Sequence, residues 1–202
     1  FEDERGLLDL APPRLAGRHQ HQNAATAIAA LRAVAPEVPA RAFEAGMRTV
    51  DWPARLQRIS RGRLVELAPE GAEIWIDGGH NEDGARVAAA AMGERAAHDD
   101  APLALVSGLL ATKDARAFLA HFTDLAQRVV AVPVSGDHYG RPPADVAEAA
   151  RDLGLFASEA PTIEDALARI SRERWRAPPR ILICGSLYLA GAALALNGSE
   201  LV

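Results

Sequence analysis

Four short apolar runs, each followed by a stretch of helical spacing, constrain this chain more than anything else in it. They are Ile74-Trp75-Ile76, Leu103-Ala104-Leu105-Val106, residues 129–134 and Ile181-Leu182-Ile183-Cys184. Each is long enough for a strand buried on both faces and too short for a helix. Helical patterns follow at residues 82–97, 114–125, 143–153 and 186–196, the last ended by Asn197-Gly198. A further helix spans residues 162–174, with Thr162 as N-cap and Asp165 three residues on, a weak capping box. Such alternation means an α/β fold: a Rossmann-like, mostly parallel sheet with helices on both faces. Leu56-Gln57-Arg58-Ile59 and Leu64-Val65-Glu66-Leu67 read as an added strand pair joined across Arg61-Gly62-Arg63.

The first fifty residues stand outside this alternation. Residues 1–13 open with charge and end in Pro-Pro, as a connector does. A helix is expected over residues 22–34, stopped by Pro36, and another over 39–48 with Pro39 at its start. Asp51-Trp52-Pro53 then breaks the pattern. The expected division is therefore residues 1–53, a helical remnant plus linker, and residues 54–202, the α/β domain.

Composition narrows the function classes. A length of 202 residues suits one large domain or one and a half ordinary ones. The net charge of -5 and pI of about 5.7 give no reason to expect a nucleic acid partner. No apolar stretch is long enough to span a membrane, and the start is acidic rather than a basic signal sequence, so a reducing cytoplasm fits best. The single cysteine, Cys184, falls in an apolar run and reads as a buried structural thiol.

The chemistry concentrates where strands hand over to helices. Asp77-Gly78-Gly79-His80-Asn81 follows an apolar strand and precedes an Ala-rich helix. Ligands of open α/β sheets collect at such carboxyl ends. Asp77 there serves equally as a turn cap or as a site residue. Gly185-Ser186 lies at a second such turn, where a hydroxyl and free N–H groups suit a carboxylate or phosphate, or simply cap a helix. Asn23 stands near a helix start, where it caps or reads a ligand, and the cap is the better fit to sequence alone. Arg55 follows Trp52-Pro53; a guanidinium there can grip a phosphate bidentately, although most exposed arginines do nothing specific. Asp77 and His80 lack a convincingly spaced third metal ligand, so no metal is assigned to this chain. His138 ends another strand and is placed at the same crevice; His98 and His121 are expected to face solvent. Ser186 has no G-x-S-x-G context, and a Walker loop is absent.

In order along the chain, Leu15-Ala16-Gly17-Arg18-His19-Gln20 with Asn23-Ala24-Ala25, Trp52-Pro53-Ala54-Arg55-Leu56-Gln57 and Asp77-Gly78-Gly79-His80-Asn81 form a recognisable set. Gly108 with Lys113-Asp114, and Gly185-Ser186-Leu187-Tyr188-Leu189-Ala190-Gly191, complete it. The set resembles the bifunctional folylpolyglutamate synthase/dihydrofolate synthase family of the Mur ligase superfamily, in its carboxy-terminal portion only. Asp77-Gly78-Gly79-His80 stands where cell-wall ligases carry an Asp-Tyr-Ala-His type turn, which favours the folate branch. Gly79 and Glu82 depart mildly from the usual Ala and Pro, so the resemblance does not fix the exact loop path there.

The resemblance implies an ATP-dependent acid–amino-acid ligase of folate biosynthesis and one-carbon metabolism, joining glutamate to folate or dihydropteroate through an acyl phosphate. It implies ATP and magnesium as cofactors, with the P-loop and magnesium ligands in an amino-terminal ATPase domain upstream of these residues. Asn23 matches an adenine contact, Arg55 an Arg that reaches ATP phosphates, and Asp77 an Asp at the ribose. His80 and Ser186 match residues linked to glutamate use, so Arg55 and His80 are the catalytic candidates. The 202 residues alone are expected to be inactive. The alternatives are another amino acid ligase of the same superfamily and a non-catalytic Rossmann-like binding module.

Overall fold

In the computed structural model, residues 1–198 are described except Ser135, Asp137 and His138, so the expectation for His138 lies outside the described residues. The chain divides into two compact units, Phe1–Pro53 and Ala54–Val202.

The first unit holds a small hairpin, β1 (Glu2–Asp3) and β2 (Gly6–Leu7), then α1 (His19–Val34) and α2 (Ala40–Thr49). Among its described residues Ile28 and Phe43 are the buried hydrophobics, so its core is thin. Helix α1 begins four residues before Asn23, because Gly17 takes a left-handed φ of 104° and starts the turn early. Asn23 is therefore not an N-cap.

The second unit runs β3 (Gln57–Ile59), α3 (Arg63–Leu67), β4 (Glu73–Ile76), α4 (Glu82–Ala96), β5 (Leu103–Ser107), α5 (Ala115–Ala120), β6 (Ala126–Ala131), α6 (Pro143–Asp152), β7 (Ala157–Glu159), α7 (Ile163–Arg172), β8 (Arg180–Cys184) and α8 (Leu187–Leu196). Six strands form one sheet in the order β3-β4-β8-β5-β6-β7. β3 pairs antiparallel with β4, and the other pairings are parallel. Ile74, Ile76, Ala104, Val106, Val130, Ile181 and Ile183 pack on one face with Leu64, Leu167, Ile170 and Leu189 of α3, α7 and α8. Strand alternation turns Trp75, Leu103, Leu105, Val129 and Leu182 to the opposite face. There α5 lies between α4 and α6, and Phe118 and Phe122 pack with ring centroids 5.9 Å apart. Both faces are thus covered, which is why the central strands are uninterrupted apolar runs.

Several local expectations need correction. Residues 64–67 are not a strand: they form α3, and β3 takes β4 as its partner. Gly62, at φ 102°, turns the chain, and the Leu64 amide donates to Asn197 Oδ1 at 3.1 Å. An apolar run that looks extended thereby closes into one helical turn over buried Leu64. The helix expected at residues 114–125 is shorter, with Asp114 capping through the Ala117 amide. Edge strand β7 is an addition to the expected sheet; with one ladder neighbour and half-exposed residues it carries little apolar signal. Thr162 does cap α7 through the Asp165 amide, but the Asp165 carboxylate accepts from the Thr162 hydroxyl, not from its N–H. His121 is half-buried and lies 3.6 Å from Glu82, whereas His98 is exposed. Among the described residues no helix is long and apolar enough to cross a membrane.

Candidate functional site

The register of three neighbouring strands builds the site. Ile76, Ile183 and Val106 are level, so the next residues, Asp77, Cys184 and Ser107, are level too. Each is followed by a glycine: Gly78, Gly185 and Gly108. Helix α8 leaves β8 on one face of the sheet, whereas α4 and α5 leave β4 and β5 on the other. Opposed departures of this kind define a topological switch point, where the carboxyl ends of an open sheet leave a crevice.

Close backbone packing holds the three turns together. The Gly185 amide donates to the Gly79 carbonyl at 3.1 Å, and the Gly108 amide to the Cys184 carbonyl at 3.3 Å. Gly185 has φ 112°, and a Cβ there would stand 2.7 Å from the Gly108 carbonyl oxygen. A Cβ on Gly79 would stand 2.7 Å from Asp77 Oδ1. These glycines are needed for approach, not for flexibility.

Asp77 is 8% exposed, and both its oxygens are engaged. Oδ1 accepts the Gly79 amide at 2.7 Å and Oδ2 the Leu56 amide at 3.0 Å. Asp77 is not the cap of α4; Asn81 is, accepting from the Gly84 amide at 2.9 Å. His80 is half-buried, with Nδ1 3.4 Å from the Gly78 carbonyl oxygen, a contact too long to fix the ring. Ser186 is 1% exposed and caps α8, its Oγ accepting the Tyr188 amide at 3.1 Å. Cys184 is fully buried; burial first, and the nearby Asp77 charge second, push its thiol above the usual range. The structure thus brings Asp77, His80 and Ser186 to one sheet edge.

Arg55 is exposed and sits one residue before the amide that Asp77 holds. Asn23 belongs to the first unit, where its Nδ2 donates to Gln20 Oε1 at 3.0 Å. It lies on an apolar groove of about 350 Å³ between α1 and α2, with Leu15, Ala27, Phe43 and Met47 among its walls.

Nothing in the sequence pattern points to Arg141. Its guanidinium donates to the carbonyls of Ala111 (2.9 Å) and Lys113 (2.6 Å), fixing the loop after β5. Arg141, Lys113 and Arg116 face Asp114 and Asp145 around an open cavity of about 430 Å³. Only the fold reveals this, because Arg141 and Lys113 come from different loops. Among the described residues no group of three or more His, Cys, Asp or Glu could hold a metal ion.

A switch-point crevice bounded by Asp77-Gly78-Gly79-His80 and Gly185-Ser186 defines a class, and the chain belongs to it: residues 55–187 match the Mur ligase family's glutamate ligase domain. The chain is 32% identical over 197 residues to the folylpolyglutamate synthase of Lacticaseibacillus casei, covering 95% of this chain and 41% of that protein. A probable bifunctional folylpolyglutamate synthase/dihydropteroate synthase of Haloferax volcanii is 29% identical, over 95% of this chain and 21% of its own length. The chain therefore spans less than half of either relative. Mycobacterium tuberculosis folylpolyglutamate synthase complexed with ADP and AMPPCP superposes with a TM-score of 0.76 at 25% identity, over 93% of this chain and 42% of the other. E. coli FolC in complex with DHPP and ADP shares the fold, with a TM-score of 0.75 at 24% identity over 96% and 42% of the two chains.

Proposed function

We propose that this chain supplies the glutamate ligase portion of an ATP-dependent enzyme that adds L-glutamate to a folate or dihydropteroate carboxyl. The observation that carries the reading is the common level of the Asp77 and Gly185-Ser186 turns at the switch point, in a chain whose relatives are folylpolyglutamate synthases. On this reading residues 54–202 are the ligase domain, and residues 1–53 are the end of an ATP-binding domain plus linker, in a cytoplasmic enzyme.

Each candidate has a physical task. Joining a carboxylate to an amine requires activation as an acyl phosphate, and negative charge builds on the transferring phosphoryl group. The exposed Arg55 guanidinium can meet that charge, a preorganised electrostatic contribution. Asp77 has lone pairs beyond the two it uses, enough to accept from ribose hydroxyls. Asn23 borders an apolar groove, a suitable edge for a planar base. His80 borders the crevice with a ring no strong hydrogen bond fixes, and can orient the incoming amine. Ser186 can still donate its hydroxyl hydrogen while it caps α8, though its burial requires the turn to open. Taken one by one, these groups have the donors, acceptors and charge that parts of ATP call for. Magnesium finds no ligand set among the described residues, and the proposal assigns its ligands to a preceding ATPase domain.

The test is ATP- and glutamate-dependent elongation of folate by the ligase that carries this segment, with ADP release as readout. Arg55→Ala should lower kcat about 100-fold or more. The 202-residue chain alone should be inactive; ligation by it would overturn that part. Turnover of a uridine-linked muropeptide but not of folates would move the chain to another branch, and absence of any nucleotide binding would make it a non-catalytic module.

A further inference from the structure

Ala54 (φ 58°) and Leu56 (φ 45°) are, among the described residues, the non-glycine residues with left-handed backbone, and they flank Arg55. Each such residue costs about 1–2 kcal/mol. A turn with two of them persists only where its surroundings over-determine it. Here they do. The Leu56 amide donates to Asp77 Oδ2 at 3.0 Å, the Gly78 amide to the Ala54 carbonyl at 2.8 Å, and the Ala54 amide to Gln57 Oε1 at 2.9 Å. Leu56 itself is 3% exposed, its side chain sunk in the core while its neighbour Arg55 is exposed. The second oxygen of Asp77 accepts the Gly79 amide, one residue before His80.

Asp77 therefore stands between two turns, one bearing the guanidinium and one bearing the imidazole. We infer that Asp77 is a positioning residue whose carboxylate locks the Arg55 turn and the His80 turn into one fixed relation. This rests on the proposed ligase reading for its consequence in catalysis, but not for the lock itself. An amide at position 77 would keep one acceptor and set an NH2 group against the other backbone N–H, leaving a buried donor unpaired. Gln57 fastens the same turn through the Ala54 amide, a bond in which Asp77 takes no part. A ligand hydroxyl arriving at Asp77 shares oxygens already committed to Leu56 and Gly79, so occupancy there is coupled to how Arg55 is presented.

Two measurements test this. In the 202-residue chain, amide hydrogen exchange should show Leu56 losing protection about tenfold or more in Asp77→Asn and in Gln57→Ala. Unchanged protection of Leu56 in a folded Asp77→Asn chain overturns the lock. In the ligase that carries this segment, Asp77→Asn and Gln57→Ala should each lower kcat. When Arg55 is already alanine, adding Asp77→Asn should lower kcat by a clearly smaller factor than it does with Arg55 present, the remainder passing through the His80 turn, while KM for ATP still rises. Effects of Asp77→Asn and Arg55→Ala that multiply in kcat refute positioning through Arg55, as does an unchanged kcat in Gln57→Ala. If Asp77→Asn fails to fold, Asp77→Glu, which keeps the charge but moves the carboxylate off both amides, takes its place in both arms. A ligase that elongates no folate removes the proposed function, yet the exchange result still decides the lock.

Discussion

Replacing Gly185 with alanine tests the idea that the central turns meet backbone to backbone. The new methyl carbon would be 2.7 Å from the Gly108 carbonyl oxygen and 2.9 Å from Ser107 Oγ, at a residue with φ 112°. The backbone conformation alone costs about 1–2 kcal/mol. The Ser107 hydroxyl can rotate aside, but the Gly108 carbonyl is backbone, so β5 and β8 must part by several tenths of an ångström, an overpacking cost of about 1–3 kcal/mol. Gly154→Ala is the control, because Gly154 has φ 83° but nothing within 4 Å of the added methyl. Urea unfolding followed by Trp75 and Trp175, in a Trp52→Phe background, reports the second unit alone. With a slope of about 2 kcal/mol per molar urea, Gly185→Ala should lower the midpoint by about 1–2.5 M and the control by about 0.5–1 M. Equal losses would show that the close approach contributes nothing beyond the φ angle, and the packed-turn account of this edge would be wrong.

Three further outcomes are expected. Arg180 is 3% exposed and donates to Glu73 (2.8 Å) and Asp99 (2.7 Å). Burial pushes the Glu73 carboxyl up, but Arg180's hydrogen bond and charge outweigh this and hold it below the ordinary range; Asp99 is lowered chiefly by its bond to Arg180. Lowered carboxylates stabilise fully above their ordinary range, and that contribution is lost as pH falls through the lowered values. Arg180→Met should therefore cost about 2–4 kcal/mol at pH 7, mostly through Glu73 since Asp99 is half exposed, and should flatten the acid limb of a thermal-unfolding series. Ser186→Ala should cost about 1 kcal/mol as a lost cap; in the ligase carrying this segment, a rise in KM for glutamate at unchanged KM for ATP would add the substrate role. Cys184, fully buried with its thiol pushed up, should react with a disulfide reagent only after unfolding, and labelling of the native chain would contradict its place in β8.

The sheet is readable in the sequence because β4, β5, β8 and the second half of β6 are apolar almost throughout, as burial on both faces requires, whereas Gln127 and Arg128 hide the start of β6. The short elements are not. Leu64 and Leu67 look like strand residues until Gly62 and Asn197, 133 residues past Leu64, close them into a turn of helix. The turn from Asp77 to His80 and the Gly185-Ser186 turn are visible as glycine-rich breaks after apolar runs. Half of what Asp77 does there is hidden: its bond to the Gly79 amide is local, but Leu56 becomes its neighbour only when β3 lies antiparallel to β4. Asn23 is misleading for a related reason, since the helix start depends on a left-handed glycine six residues earlier.

The strand order carries a consequence for how the second unit is assembled. β8, the last strand of the sheet along the chain, is wedged between β4 and β5, so the residues at its two sides wait for it throughout synthesis. Until residues 180–184 leave the ribosome, two neighbouring rows of backbone donors and acceptors have no strand to pair with. Premature termination anywhere before Arg180 would thus remove the keystone and not merely trim an end, leaving the apolar faces of Ile74, Ile76, Ala104 and Val106 open to association with other nascent chains.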